Sequence, residues 1–260
     1  MKNYFLVYKK FFETSFAEVS SFRTSFVLII FMDLAFYLTT LTAVTVIYDH
    51  VQTIGPWKKD ELLFFISFML SLDHLHMIFF SENFWELSRK IRLGLLDFDL
   101  LRPKSSIFSV FFRYLRVSSI VNTPIVWGLL YYYGNKAGVT ATGWASLPFL
   151  MILSLTLFVL IEFILSTSMF WVVEGFGINF LRMQFQQLAR WPDFIYSYYP
   201  KKLLSIFIPV LLVGSNPVKF LIEGPNLLLI GEILLAIVIF FFILKFCWKK
   251  ALDHYESPSS

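Results

Sequence analysis

The chain has 260 residues, 57% hydrophobic and only 15% charged, with Phe at 32 positions. A soluble domain carries roughly 45 to 50% apolar and about 25% charged residues, so water is not the main solvent of this protein. A formal charge of +4 is too small to point to nucleic acid, and a single cysteine, Cys247, rules out any disulfide within the chain.

Residues Met1 to Arg23 mix Lys9, Lys10, Glu13, Glu18 and Arg23 with aromatics. They lack the unbroken apolar stretch of a cleavable signal, so the start is expected to be mature protein. Tyr4, Tyr8, Phe11, Phe12, Phe16, Val19 and Phe22 recur at helical spacing. An amphipathic helix lying in the membrane interface is therefore expected over residues 1–23, with membrane lipid as its partner.

About 20 apolar residues in a helix cross the hydrocarbon layer with every backbone group paired internally. Five stretches qualify: Ser25 to Tyr48, Leu62 to Phe80, Val117 to Tyr133 with a lead-in from Ile107, Leu147 to Val173, and Leu227 to Phe246. A further stretch, Leu203 to Gly214, is only about 18 Å of helix and contains Pro209; it crosses only if Asn216 to Ile222 helps, and otherwise it is re-entrant. Counting it as a span places both termini in the cytoplasm and 18 of the 22 Lys and Arg residues inside, leaving Lys58, Lys59, Lys136 and Lys219 outside. The expected fold is an all-α, polytopic membrane protein with six transmembrane helices, an N-terminal interfacial helix and a cytoplasmic helix after the second span.

That cytoplasmic stretch, Ser81 to Ser106, is too polar for the membrane. Glu82 to Leu93 suits a short amphipathic helix with Phe84, Leu87 and Ile91 on one face and Glu86, Arg89, Lys90 and Arg92 around the rest. Gly94 would end it, and Pro103 would break any later one. Such a charged helix between two spans is suited to docking on a soluble partner.

Gly94, Leu96, Asp97, Leu100, Leu101, Arg102 and Pro103 match a G-x-L-D-x-x-L-L-R-P signature. Farther on, Arg190, Trp191 and Pro192 precede Ile195 and Tyr196, followed by Ile208, Pro209, Pro217, Leu221 and Gly224, and the chain closes through Trp248 to Tyr255. In these features it resembles the ABC type-2 exporter permeases, specifically the branch carrying that signature. The resemblance covers nearly the whole chain, as a single permease domain over residues 1–260 with residues 82–106 as its coupling segment. It implies a six-span permease of an ATP-binding-cassette exporter, working with two copies of a cytoplasmic ATPase and a second permease chain, in a homodimer or a heterodimer. By the same resemblance, Glu82, Phe84, Glu86, Arg89, Lys90 and Arg92 couple to the ATPase, and Gly94, Asp97, Arg102 and Pro103 form the signature loop. The location implied is the inner (plasma) membrane.

The sequence contains no G-x-x-x-x-G-K-[ST] phosphate loop. No cofactor is expected in this chain; ATP and magnesium would belong to the partner, and the chain is expected not to be an enzyme. Among intramembrane acids, Glu162 is the candidate for a translocation path and Asp33 is tolerated by its apolar span. Asp73, His74 and His76 read as polar packing near an interface, so no metal site is expected. Asp97 and Asp99 superficially form the D-x-D of a metal-dependent sugar transferase, but no nucleotide-binding domain surrounds the loop, and Asp97 reads as a structural residue, capping the signature turn or pairing with Arg102. Apolar spans with few charges favour an amphipathic or lipid-like cargo. The rival readings are an integral-membrane transferase acting on lipids, against which no H-x-x-x-x-D or D-D-x-x-D arrangement occurs, and a scaffold that tethers a partner without transport.

Overall fold

The computed structural model describes residues 2–21, 23–172 and 175–256. Phe22, Val173 as the end of the predicted fourth span, and the predicted disorder of Ser257 to Ser260 lie outside them, as does the side chain of Val19. All the regular structure of the described residues is helical, with one isolated bridge between Ile54 and Trp57 as the sole extended pairing among them. In order the helices are α1 (Lys2–Ser21), α2 (Arg23–Tyr48), α3 (Lys59–Phe79), α4 (Ser81–Arg92), α5 (Leu96–Leu100), α6 (Ser106–Phe111), α7 (Thr123–Lys136), α8 (Ala141–Thr167), α9 (Phe176–Ala189), α10 (Tyr198–Lys202), α11 (Leu212–Glu223) and α12 (Leu227–His254).

Four of these, α2, α3, α8 and α12, are each long and apolar enough to cross a membrane. The chain is therefore a multi-pass membrane protein. Apolar residues surround each of the four without a polar face, as expected when both the neighbours and the solvent are greasy. The central helix α3 is sheathed by α2, α7, α8 and α11, and buries Leu62, Phe64, Phe65, Phe68 and Leu72 completely or nearly so. By contrast, α2 and α12 present most of their side chains outward, among them Phe31, Met32, Leu235 and Phe242.

The predicted third span takes an unexpected form: Val117–Asn122 is a 3-10 turn, and only Thr123–Lys136 is α-helix, with Pro124 in its first turn. The α-helical part is about 21 Å long, and the more extended 3-10 turn adds roughly 12 Å. Anchoring to α2 accounts for the tight turn, because Ser119 donates to Asp33 and Asn122 donates to the carbonyl of Ile30.

The greatest departure from the sequence reading lies between α9 and α12. α9 begins at the α4 end of the bundle, where Gly175 abuts Ser88. The segment after α9 reaches the opposite end, where the Phe194 ring meets Trp57 edge-on at 4.9 Å, just ahead of α3. α9 reaches the level of Asp73, where Arg190 pairs with it, and the segment on to Phe194 covers the rest of the way along α3. From there Tyr198–Phe207 and Leu212–Glu223 form a pair bent by 99°. The bend brings Gly214 against Met69 and Phe65 in the interior, and α11 then returns toward the start of α8, where Leu221 lies beside Gly143. Residues 203–222, read from sequence as a span or a re-entrant pair, are bent within this pair, the shape of either a broken span or a re-entrant loop. Asp193 fastens this hairpin by accepting from Lys201 at 2.6 Å and Lys219 at 2.8 Å, while its amide donates to Ser215.

Candidate functional site

Successive helical residues are displaced by about 100° around the axis, so near the end of α3 Asp73 and His76, three apart, share a face while His74 points away from it. Asp73 accepts from Arg190 Nε at 2.7 Å. His74 sits between the Tyr37 hydroxyl at 3.2 Å and the Thr123 hydroxyl at 3.0 Å. His76 faces Glu162 of α8. Among the described residues no group of His, Cys, Asp and Glu side chains is arranged to hold a metal ion.

Glu162, singled out from the sequence as one acid in an apolar span, is the hub of a buried charge centre. Its Oε1 accepts from Arg182 Nη1 at 2.9 Å and from Gln186 Nε2, both on α9, while its Oε2 faces His76 Nε2. The Arg182 guanidinium lies 4.5 Å above the Phe84 ring, and its Nε donates to Asn179 Oδ1 at 3.4 Å. Glu162 is 1% exposed and Arg182 2%. A charge so far from water persists only when paired and hydrogen-bonded, and these contacts supply both conditions. Asp33 is similarly satisfied, by Arg116 Nη2 at 3.3 Å and Ser119 Oγ at 2.9 Å. Glu162 stands five residues before the end of α8, closer to the α4 end than the mid-span position inferred from sequence.

These groups border a cleft of about 310 Å³ between α2, α3, α4 and α9. It extends from Ser81 and Trp85 at the head of α4 to Asp33 and Arg190 deeper in the bundle. Its walls alternate apolar side chains, Phe36, Met77 and Met183, with the amides of Gln186 and Gln187.

At the end of the bundle beyond α3, α4 occupies the stretch predicted to be a polar helix. Leu93 ends it, and Gly94 turns the chain at φ 68°, a conformation costly for a side-chain-bearing residue. α5 then folds back so that Lys90 Nζ reaches Asp99 Oδ2 at 2.6 Å, with both side chains almost fully buried. Burial pulls the Lys90 ammonium below the usual lysine range, against the opposing pull of Asp99. Arg102 and Arg113 add longer contacts to Asp99, at 3.3 and 3.6 Å. Asn83 pins the following segment, accepting from the amides of Arg113 and Tyr114 and donating to the Tyr114 carbonyl.

This geometry revises the residues assigned to coupling from sequence. Phe84 is buried beneath Arg182, and Lys90 is committed to Asp99, so neither belongs to a docking face. Arg89 and Arg92 are exposed, Arg89 paired with Glu86 at 2.9 Å, and Glu82 is half-buried. In the signature loop, Gly94 makes the turn, Asp97 is half-buried on α5, Pro103 is exposed, and Arg102 reaches Asp99. Three apolar side chains protrude around the same loop, Leu93 at 56%, Phe98 at 65% and Leu101 at 82% exposure.

Sequence reasoning passed over Arg182 and Gln186, and named Arg190 and Asp99 without giving either an ion-pair role. The first three carried a legible signal: spaced four apart, they lie along one stripe of a helix otherwise containing Phe180, Leu181, Phe185 and Leu188. Such a stripe signals a polar seam inside an apolar bundle. Asp99 carried none, since it falls at an unspecified position of the signature.

A family model described as an ABC-2 family transporter protein matches residues 34–259. No curated protein and no solved structure matches the chain significantly.

Proposed function

The chain belongs to the ABC-2 transporter family, and on that premise we propose that it is the membrane-spanning permease of an ATP-binding-cassette exporter, energised by ATP and magnesium held in separate ATPase subunits. The observation that carries this reading is the platform at the α4 end. A helix locked in place by the Lys90–Asp99 pair displays Leu93, Phe98 and Leu101 beside the exposed Arg89 and Arg92. Large apolar side chains grouped with cations at a water-facing end favour a protein partner. Arg89, Arg92, Leu93, Phe98 and Leu101 are the proposed contact set, with Glu82 and Glu86 at its rim, and Gly94, Asp97, Arg102 and Pro103 shaping the loop that presents it.

In this reading the whole chain is one permease domain in the inner membrane, crossed six times by α2, α3, residues 117–136, α8, α9 and α12, with α1 along the cytoplasmic interface. Both termini and α4 are cytoplasmic. That course places 14 Lys and Arg residues inside and 6 outside, with Arg182 and Arg190 between them, a bias in the same direction as the 18 to 4 of the course through residues 203–222 though smaller, so it supports the orientation. The polar cleft faces α2 and α9, and a second permease chain would shield it from lipid, since ionisable groups at membrane depth border protein or water. Closure of two ATPases on ATP would shift α4, and through Gly175 and Arg182 move α9.

The test is affinity purification of the tagged chain from its native membranes in mild detergent. A phosphate-loop ATPase should co-purify at about one copy per permease. Phe98→Asp with Leu101→Asp should abolish its recovery without lowering permease yield. A chain recovered alone even after crosslinking would sink the reading.

A further inference from the structure

We infer that the cleft between α2, α3, α4 and α9 binds an amphiphile whose head carries no net charge and is held by hydrogen bonds. This rests on the permease reading only in treating that amphiphile as cargo.

The argument is one of charge balance at membrane depth. Three carboxylates meet in or behind the cleft, and each has a guanidinium of its own: Asp33 with Arg116, Asp73 with Arg190, Glu162 with Arg182. Arg190 is further engaged with the Phe36 ring at 4.9 Å, and His76 faces Glu162. A cationic head would find every carboxylate taken, and an anionic head every guanidinium. Bringing either into a site of low dielectric without a free counter-charge leaves its desolvation uncompensated, whereas a neutral head incurs no such penalty. What the cleft offers instead is hydrogen bonding from Gln186 and Gln187 between apolar walls at Phe36, Met77 and Met183. Ser81 and Trp85, where α3 gives way to α4, line its α4 end, and Trp85 is exposed there, so a chain-bearing molecule entering at that end would do so at the level of the neighbouring lipid headgroups.

Trp85 provides the readout. The full chain in lipid nanodiscs would be titrated with dodecyl amphiphiles tagged by bromine, a fluorescence quencher, bearing maltoside, phosphocholine, sulfate or trimethylammonium heads. Saturable quenching that disappears in Trp85→Phe should occur at concentrations about tenfold lower with the maltoside or phosphocholine head than with either charged head. The better of those two distinguishes an uncharged from a zwitterionic ligand. Gln187 is exposed on the cleft wall, so Gln187→Glu should shift the preference to trimethylammonium and Gln187→Lys to sulfate. Tightest binding of a charged head by the unaltered chain, or quenching that neither saturates nor depends on Trp85, overturns the proposal. These titrations need no ATPase. A chain that binds no ATPase but prefers neutral heads therefore sinks the permease reading alone, and an ATPase-bound chain that prefers a charged head sinks this one alone.

Discussion

Lys90 and Asp99 are nine residues apart and almost fully buried, yet their ion pair is no large source of stability, because removing two charges from water costs about as much as their attraction returns. Breaking one side is a different matter. Lys90→Met should destabilise the protein by about 3 kcal/mol, the low end for such a rupture, since Arg102 and Arg113 still reach Asp99. Lys90→Met with Asp99→Leu should recover most of the loss, and thermal unfolding of the three proteins in one detergent measures both. Equal losses in the single and double variants would mean the pair is not coupled. Glu162 follows the same logic with fewer substitutes. Glu162→Gln leaves the Arg182 charge buried without its anion and should cost about 3 to 5 kcal/mol. Adding Arg182→Met should restore part of that, because the amide introduced at position 162 then needs only the side chain of Gln186 and the ring of His76. If the double variant is no better than the single one, the centre is not an energetic unit.

At the scale of elements, α9 decides how the molecule is put together, and it is the helix that sequence reasoning missed. The four helices α2, α3, α8 and α12 were legible because length and unbroken apolarity suffice to identify them. α9 has 14 residues and includes Arg182, Gln184, Gln186 and Gln187, so a hydropathy count rejects it. Its place inside the bundle depends on Glu162 and Asp73, residues 20 and 117 positions away from their partners, and no local window contains that information. α4 and the turn at Gly94 were readable from amphipathic spacing and a breaker residue. The inward commitment of Lys90 was not, because a lysine on a short polar helix is ordinarily solvated. The contact between α4 and α9 leaves no room for a side chain: a Cβ on Gly175 would lie 2.6 Å from Ser88 Cβ. Gly175→Val should therefore push the helices apart, and we expect weakened coupling of ATP hydrolysis to transport in the reconstituted complex while ATPase recovery is retained. Unchanged coupling would show that movement does not pass through this contact.

For the molecule as a whole, the question is which segment makes the fifth crossing, because that choice sets the side on which residues 193–202 are found. If residues 203–222 crossed, Lys201 and Lys202 would be on the same side as α4. The proposed course, with α9 as the fifth crossing, places them on the other, with Lys201 held to Asp193 beyond the end of α9. Both courses give six crossings and the same location for the termini, so terminal tags cannot separate them. Single cysteines can, in a Cys247→Ser background. An impermeant maleimide added to intact cells should label Lys202→Cys, whereas Arg89→Cys should react only after the membrane is opened. Lys202 is the better reporter of the two lysines because Lys201 is tied to Asp193. Labelling of Lys202→Cys only in opened membranes would return it to the α4 side and make residues 203–222 the crossing segment. In that event α9 would have to end where it began, which the contact of Phe194 with Trp57 forbids in this conformation.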